Sequence, residues 1–449
     1  MLMLAKIKEI QRNLSPNFRK IIGNSFWLMA DNFLRLGIGL IVGIWVARYL
    51  GPKQFGILNY AIAFAGMFGV FAKAGLDSIV IRDLVRYPES KDEILGTTFA
   101  VKLFCGYCAF LLAVGASFLF RTDDPKMPWI IGIISFSMVF QAFDTVDLWF
   151  QSQVQSKYVV YSKNAAYILV NIAKVILIKM DAPLIGFVIT AFAEIAIGSI
   201  GLAVAYRSAK QSFKLWHGSI QLAKKLLRES WPNILAGFSI GIYMRVDQLM
   251  LGYMVGDEAV GTYSVGVRLA ELWYFLPVAI SSSINPRIIQ SKQEGEVAYY
   301  DRIQRALNFL VAIAYLVAIG LTLFSKDIIY ILYGSSYAAA SNTLAVYVWA
   351  GIFVSLGMVK GIWITTEGLL KFGFITTLLG AMINVILNLL LIPRYSSSGA
   401  ALATVISYGI SDYVILLLYR PSRKIGFAMT KALALDLITS KLHLFRQKS

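Results

Sequence analysis

Charged side chains stand inside apolar stretches of this 449-residue chain, and their types and spacing are what could do chemistry. In ADNFLRLGIGLIVGIWVARYLG, residues 30–51, Asp31 and Arg35 stand at the front of an apolar run. Their i,i+4 spacing places them on one face of a helix. Two interpretations are open: a mutual ion pair near one end of the helix, or a pair at the mouth of a wet cavity.

A second charged stretch is YMRVDQ, which holds Arg245 and Asp247. Residues two apart point to nearly opposite faces of a helix, so these two cannot simply neutralise each other. An ionisable group at membrane depth costs about 2.5 kcal/mol or more, so each needs a partner on another helix or a wet interior. Further along, Arg268 and Glu271 are three apart and can pair on one face.

Three more charged residues, Lys174, Glu194 and Lys360, have no partner nearby in the sequence. Lys174 lies close to the end of its run, where a lysine can extend its amine to the interface. The segment QAFDTVDLWFQSQ adds a polar stripe that either lines an opening or emerges into water. Its members are Gln141, Asp144, Asp147 and Gln151.

Among these groups the arginines suit anion binding best. A guanidinium can donate two parallel hydrogen bonds to a phosphate, which makes Arg35, Arg245 and Arg268 the strongest anion-binding candidates. The acids Asp31, Asp247, Glu194 and Glu271 are their candidate charge partners.

The elements that must position these residues are membrane-spanning helices. Hydrophobic residues make up 58% of the chain and charged residues 15%, and the mean hydropathy is +0.67. Each apolar run is near or above the roughly 20 residues that span a bilayer as a helix. The twelve runs lie near 21–48, 55–74, 96–120, 128–150, 158–179, 183–206, 231–255, 259–284, 305–324, 339–366, 370–393 and 399–419.

The net charge of +17 lies in loops and tails between these runs, which indicates membrane topology rather than nucleic-acid binding. With the N-terminus inside, 29 Lys and Arg residues fall on the cytoplasmic side and seven on the other. The positive-inside rule therefore predicts an inner-membrane, multi-pass protein with both termini in the cytoplasm.

A weak repeat divides the chain. LGPKQFGILNYA (50–61) matches VGDEAVGTYSVG (255–266) with both pairs of glycines in register. Two six-helix lobes related by an axis along the membrane normal, with a central cleft, follow from this repeat. The predicted organisation is an amphipathic N-terminus (1–20), an N-terminal lobe (21–206), a basic linker (207–230), a C-terminal lobe (231–419) and a basic tail (420–449). We expect the tail to lie on anionic lipid, with a cytoplasmic partner as the alternative.

Several functions lose support from the sequence. It contains no P-loop motif, and His217 and His443 lack any metal-binding spacing, so we expect no cofactor and no metal. The outer loops are short, which argues against an enzyme because catalysis usually sits on loops.

Five stretches together resemble the bacterial polysaccharide-biosynthesis flippases, the O-antigen and capsule repeat-unit translocases of the multidrug/oligosaccharidyl-lipid/polysaccharide exporter superfamily. The resemblance runs in order from about residue 20 to 420. Its stretches are ARYLGPKQFGILNYAIAF, AGLDSIVIRDLVRYPESKDEILGTTF, DLWFQSQVQSKYVV, MRVDQLMLGYMVGDEAVGTYSVGVRLAELWYFLP and MINVILNLLLIPRYSSSGAALATVISY.

The resemblance implies an all-α membrane protein of about twelve helices, in two lobes around a central cationic cavity. It implies that the protein flips a polyprenyl-diphosphate-linked oligosaccharide to the outer leaflet, driven by an H⁺ or Na⁺ gradient. Membrane lipids, a polysaccharide polymerase and glycosyltransferases are the other partners it suggests. The residues expected to bind the diphosphate and acidic sugars are Arg35, Arg245, Arg268, Lys174 and Lys360, and those expected to couple or exchange charge are Asp31, Asp247, Glu194 and Glu271.

Three other functions compete with this one. A multidrug or small-solute cation antiporter of the same architecture would need a more acidic or apolar pocket. A membrane-embedded glycan polymerase or glycosyltransferase would need larger outer loops. A membrane scaffold would have no reason to carry charges inside its spans.

Overall fold

The computed structural model describes residues 16–120 and 124–435, with side chains from Asp31 onward except those of Asn32 and Phe33. Residues 1–15, most of the predicted amphipathic N-terminus, lie outside this part of the chain. The described residues are mostly helical, with short connecting turns, and include no strand. An apolar chain in lipid must satisfy its backbone hydrogen bonds within each segment, and the α-helix does so.

Seventeen α-helices, numbered here in chain order, make up the described chain. They are α1 Pro16–Lys73, α2 Asp77–Arg86, α3 Lys91–Phe120, α4 Met127–Phe140, α5 Asp144–Ser152, α6 Lys157–Lys179, α7 Leu184–Ser208, α8 Ile220–Met254, α9 Asp257–Glu271, α10 Phe275–Ser291, α11 Glu296–Leu323, α12 Ser325–Tyr333, α13 Ala340–Tyr347, α14 Ala350–Thr366, α15 Leu370–Gly409, α16 Ile415–Leu418 and α17 Arg423–Leu433. A π-helical turn, Ile410–Val414, connects α15 to α16.

Eight stretches of the described chain are long and apolar enough to cross a membrane. Two of them, Leu34–Arg86 and Leu370–Leu418, have 53 and 49 residues, which is enough for two crossings each. The more polar helix α6 and the α9–α10 segment coincide with two further apolar runs of the sequence, 158–179 and 259–284. The predicted fold class, an all-α membrane protein with about twelve spans in two lobes, is confirmed.

The long helices α1 and α15 each contain one break. In α1 the break is at Gly51, with φ 70° and ψ 170°, followed by Pro52. Glycine adopts this conformation without steric cost, and proline supplies no backbone N–H to the preceding turn. In α15 the break is at Ser396, with φ 50°, three residues after Pro393. Each apparent single helix is therefore two helices joined at a sharp turn.

The described chain divides into two compact units. The first holds residues up to Tyr49 and Phe64–Phe238, and the second holds Leu50–Ala63 and everything from Ser239 onward. Two differences from the predicted lobes stand out: residues 50–63 group with the second unit, and the basic linker 207–230 belongs to the first.

The linker is docked onto the first unit by aromatic contacts. The Trp216 indole donates a hydrogen bond to the Tyr206 hydroxyl at 3.0 Å, and its ring contacts those of Phe99 and Phe213. A side chain at Gly96 would overlap the backbone of His217, so this glycine allows the linker to lie directly on α3. A basic segment with these apolar anchors is held against the protein.

The described part of the tail is also held by protein. Helix α17 buries Ile425, Met429 and Ala432 completely, in a core cluster that includes Leu307 of α11 and Trp363 of α14. The second unit therefore covers the apolar face of α17, which leaves that face unavailable to lipid, whereas contact of the basic tail with anionic lipid stays a prediction. Residues 436–449, the rest of the tail, lie outside the described chain.

The repeated glycines have matching structural roles. Gly51 and Gly256 both have positive φ, 70° and 120°, and each precedes a helical stretch. Gly56 and Gly261 pack on each other within the second unit: a Cβ on Gly56 would overlap the carbonyl oxygen of Asp257, and one on Gly261 would overlap that of Pro52. The first pair of the repeat thus breaks helices, and the second pair allows two backbones to approach.

Replacing Gly261 by Val should destabilise the second unit strongly. The new side chain has only backbone to displace, and overpacking of this kind costs typically about 1–3 kcal/mol. Thermal unfolding of detergent-purified protein measures the effect. Gly320→Ala is the matched control, since Gly320 lies within helix α11 and a Cβ there meets nothing within 4 Å. Equal melting of the two variants would contradict the close contact.

Candidate charge-bearing sites in the two units

Asp31 and Arg35 form an ion pair in the first unit, and a third residue joins them. The Arg35 Nε donates to the Asp31 carboxylate at 2.9 Å, and one of its terminal nitrogens lies 3.6 Å from the Glu194 carboxylate on α7. The guanidinium also sits 4.7 Å from the centre of the Tyr167 ring. The three charged side chains remain between a fifth and a third exposed. Arg35 therefore pairs with one acid on its own helix and one on another helix, and all three side chains remain accessible to solvent.

This cluster borders a pocket of about 230 Å³ inside the first unit. Gln141 and Asp144, two members of the polar stripe, line it together with Arg35 and Glu194. The remaining lining residues are Lys73, Lys163, Ile195, Gly198, Ser199 and Leu202. The side-chain oxygen of Gln141 is buried and accepts no hydrogen bond from the described residues. The polar stripe therefore begins at this pocket and leaves one amide oxygen for a ligand or water.

Lys163 is a pocket residue that sequence reasoning missed. Its amine donates to Asp144 at 3.0 Å and to Asp147 at 2.7 Å. Arg35 and Lys163 are thus each matched by two acids, and Lys73 adds a third cation to the lining, so the pocket has mixed charge. The lysine lies near the start of an apolar run and only 16 residues beyond Asp147. This short separation could have suggested from the sequence that the two residues pair.

Asp247 of α8 lies at the centre of a buried polar network in the second unit. The residue is 4% exposed. Its carboxylate accepts hydrogen bonds from Tyr263 at 2.6 Å, from Thr404 at 2.5 Å and from Asn388 at 2.6 Å. It has no ion-pair partner among the described residues.

Two asparagines of α15 extend this network. Asn388 also donates to the side-chain oxygen of Asn384 at 3.0 Å, while its own side-chain oxygen is buried and accepts no hydrogen bond from described residues. The i,i+4 spacing of Asn384 and Asn388 in an otherwise apolar stretch was the signal that sequence reasoning did not use. Carboxylate, amide and hydroxyl oxygens thus lie close together around Asp247, and no cationic side chain of the described chain pairs with its carboxylate.

Arg245 lies two residues before Asp247 and has different surroundings. It is half-buried and interacts electrostatically with Glu271. Glu271 in turn accepts a hydrogen bond from Tyr347 at 2.8 Å. Within the described chain, the Arg245 guanidinium takes part in no hydrogen bond and no ion pair within 4 Å. Its five N–H donors are therefore available to an anion.

The three remaining predicted cations differ in their surroundings. Lys360 is buried and donates to Thr376 at 2.7 Å, to the Ser411 carbonyl at 2.8 Å and to Asp412 at 3.0 Å. All three of its N–H donors are used inside the second unit. Arg268 is exposed near Tyr333, and Lys174 is half-buried on α6.

Metal binding by a dense ligand cluster has no support in the described chain. Groups of three or more His, Cys, Asp or Glu side chains that could hold an ion do not occur in the described ranges. The convergent oxygens around Asp247 include a single carboxylate, a set with little charge to hold a divalent ion.

The fold and the buried charges define an integral membrane protein with the architecture of a transporter. The sequence profile of the family described as "Polysaccharide biosynthesis protein" matches residues 21–292, more than half of the chain. The chain belongs to this family. The profile of the MatE family also matches, over residues 232–390.

Curated relatives are similar over different lengths. The putative O-antigen transporter of Escherichia coli (strain K12) is 21% identical over 412 residues, covering 88% of this chain and 95% of that protein. The probable low-salt glycan biosynthesis flippase Agl15 of Haloferax volcanii is 23% identical over 214 residues, covering 47% of this chain and 45% of that protein. The chain thus aligns with less than half of Agl15.

Solved structures show the same fold. An inward-facing multidrug resistance MATE family transporter of the MOP superfamily matches with a TM-score of 0.72 and 15% identity, covering 90% of this chain and 95% of that one. The lipid II flippase MurJ, in an inward closed conformation, matches with a TM-score of 0.69 and 16% identity, covering 94% and 93%.

Proposed function

We propose that this protein is a flippase that moves a polyprenyl-diphosphate-linked oligosaccharide from the cytoplasmic to the outer leaflet by alternating access. The observation that carries the proposal is Arg245, a half-buried guanidinium in a membrane-spanning helix with no hydrogen bond to any described residue. Glu271 offsets part of its charge, but its N–H donors have no partner among the described residues, and an ionisable group of this kind inside a membrane span is a candidate functional site. Guanidinium groups bind phosphate oxygens through two parallel hydrogen bonds, which suits a diphosphate.

Family membership and the names of the relatives support the same substrate class. The E. coli relative is described as a putative O-antigen transporter and Agl15 as a probable glycan biosynthesis flippase. We infer that the product serves cell-surface polysaccharide synthesis, with a polymerase and glycosyltransferases acting on either side of the transport step. The proposed role is transport and not catalysis.

The predicted topology supports the proposed direction. Lys and Arg residues concentrate on the side that holds both predicted termini, which places that side in the cytoplasm by the positive-inside rule. Lipid-linked sugars assembled in the cytoplasm would be taken up there. We therefore place the protein in the inner membrane with cytoplasmic termini.

Coupling to an ion gradient is the second part of the proposal, and Asp247 is its proposed site. A buried carboxylate without a cation is costly, and either a proton or a bound monovalent cation would remove that cost. The oxygens of Asp247, Asn384, Asn388 and Thr404 are hard ligands of the kind that such a cation prefers. H⁺ or Na⁺ taken up here would change the charge inside the second unit.

In the first unit, we propose that Arg35 exchanges partners during transport. It is held by Asp31 and Glu194, and both pairs are partly exposed to solvent. An anionic group of the substrate could replace one of the acids on Arg35, and the displaced carboxylate, which is already partly exposed, would then be solvated by water. Lys360, with three internal hydrogen bonds, has a structural role in this proposal, whereas Arg268 and Lys174 stay candidate substrate contacts.

Reconstitution into sealed liposomes tests the function directly. A fluorescent polyprenyl-diphosphate oligosaccharide is placed in the membrane, and an external glycan-cleaving enzyme reports how much of it becomes accessible over time. We expect accessibility to rise with the protein and to stay constant in protein-free liposomes.

Failure has a defined meaning in this assay. No difference from empty liposomes, with several glycans and an imposed ion gradient, would overturn the flippase proposal. Efflux of cationic drugs by the same liposomes would then support the alternative, a multidrug antiporter, for which Glu194 and Asp144 at the mixed-charge pocket supply acidic groups. A change in glycan chain length would indicate a polymerase.

A further inference from the structure

A second cavity in the first unit is larger and of opposite character to the charged pocket. It has a volume of about 770 Å³, within the range of about 300–1,000 Å³ typical of small-molecule pockets. Its walls come from α3, α4, α7 and the docked linker. The principal lining side chains are Phe99, Phe140, Phe143, Phe213, Trp216 and Arg207.

Aromatic rings give this groove a continuous apolar wall. Phe99 contacts Phe143 at 5.2 Å and Trp216 at 5.6 Å between ring centres. Trp216 contacts Phe213 at 4.8 Å. Small residues of the lining, among them Ala100 and Ala203, leave the space open. Such a surface favours a hydrocarbon chain over a sugar.

The linker makes the groove more than an open lipid-facing surface. The backbone N–H of Ser219 donates to the Thr97 hydroxyl at 3.0 Å, and Gly96 lets the backbone at His217 lie against α3. Residues 213–218 therefore form a fixed wall on one side. A chain lying here is held between helices and this segment, so it differs from lipid that merely surrounds the protein.

Arg207 is the one charged residue among those that line this groove. It stands in the last turn of α7 and is exposed, and its guanidinium has no hydrogen bond or ion pair with any described residue. Lys210 and Lys214, also exposed, follow on the same segment. The groove thus combines an apolar interior with an uncompensated positive charge at its rim.

By the topology predicted from the sequence, this combination lies at the level of the inner leaflet. Helix α7 ends at Ser208, where the apolar run gives way to the basic segment 207–230. Basic residues at the cytoplasmic end of a span attract anionic headgroups, by about 1 kcal/mol for each residue near the surface. A phospholipid matches both the charge at the rim and the apolar interior, if its headgroup phosphate lies at Arg207 and one acyl chain lies between the aromatic rings.

We infer that this groove is a specific site for one anionic phospholipid of the inner leaflet, with its phosphate on Arg207 and one acyl chain against Phe99, Phe143 and Trp216. The occupant is a resident lipid and not the transported one. The volume suits one acyl chain, and the long polyprenyl chain of a carrier lipid needs much more space. The inference is independent of whether the protein transports glycans.

Native mass spectrometry of delipidated protein, titrated with phosphatidylglycerol in detergent, tests this site. We expect one tightly bound phosphatidylglycerol per chain and at least tenfold weaker binding by Arg207→Gln. Lys210→Gln is the matched control, because it removes a neighbouring exposed charge that does not line the groove. Its affinity should stay within about fivefold of the wild type, because it loses only a surface attraction of about 1 kcal/mol.

A second pair of variants tests the apolar part of the site. Ala203→Trp should fill the groove and abolish the bound lipid, whereas Ile172→Trp, an exposed position on α6 outside the groove, should leave it in place. Thermal unfolding of each variant identifies loss of fold, and the Arg207→Gln result stands if Ala203→Trp does not fold.

Three results would overturn the inference. Equal phosphatidylglycerol binding by the wild type and Arg207→Gln would show that Arg207 does not bind the lipid headgroup. Equal affinity for phosphatidylethanolamine would show that the site does not select anionic lipid. Tighter binding of a polyprenyl phosphate than of phosphatidylglycerol would identify the groove as a carrier-lipid site instead. Liposome flipping is a separate readout, so failure here leaves the proposed transport function intact.

Discussion

Replacing Arg245 by Gln should reduce glycan-lipid flipping about 100-fold or more while the protein still inserts and folds. The guanidinium is half-buried, and no described residue accepts a hydrogen bond from it. Hydrogen bonds to charged groups contribute about 1.5–3 kcal/mol each. Loss of two such bonds to a diphosphate costs about 3 kcal/mol or more, and each 1.4 kcal/mol is a factor of ten.

The liposome assay measures this effect as the initial rate at which the external enzyme reaches the labelled lipid. Lys326→Gln is the matched control, since it removes an exposed cation of the same unit at the start of α12. Arg245→Lys should retain part of the rate because it keeps the charge but loses the paired donors. Wild-type flipping by Arg245→Gln would remove Arg245 from the substrate path and with it the observation that carries the proposed function.

Replacing Asp247 by Asn should remove the response of flipping to an ion gradient. The carboxylate accepts hydrogen bonds from Tyr263, Thr404 and Asn388, and an amide offers one oxygen and two donor hydrogens in its place. The variant can neither take up a proton nor offer a charge to Na⁺. We expect gradient-driven flipping to fall about tenfold, to the rate measured without a gradient.

Flipping is measured with imposed pH and Na⁺ gradients, applied separately, for the wild type and the variant. Asp327→Asn, an exposed acid of the same unit, is the control for loss of a negative charge. Thr404→Val removes one hydrogen bond to Asp247 but keeps its carboxylate, so the gradient response should persist at a lower rate. Undiminished stimulation of Asp247→Asn would place coupling elsewhere, and a wild type indifferent to both gradients would remove the coupling proposal.

The hydropathy of the sequence alone was sufficient to predict an all-α membrane protein. A stretch of about twenty apolar residues in lipid has no alternative to a helix, because every backbone group must find its partner within the segment. The same local logic gave the Asp31–Arg35 pair, whose partners are one turn apart in a single helix. The repeat placed Gly51 and Gly256 in register, and the structure then showed that both residues have positive φ at helix breaks.

Contacts between helices were decided only by the tertiary structure. Glu194 reaches Arg35 from α7, and Asp247 receives its hydrogen bonds from α9 and α15. Which face of a helix meets which neighbour depends on helix rotation and crossing angle, and apolar helices in lipid carry little amphipathic pattern to show it. For this reason the sequence marked Asp247 as unusual but did not identify Asn388 or Thr404 as its partners.

The linker and the tail illustrate the same division. Their charge and composition predicted cytoplasmic segments, and that remains the prediction. Charge does not encode that Trp216 would lie against Phe99, or that Met429 of α17 would be buried by the second unit. Those outcomes depend on apolar surfaces distant in the chain, which compete with lipid to cover the same side chains. Local sequence determined the elements of this protein, and the fit between distant surfaces determined which of its charges are held and which stay available.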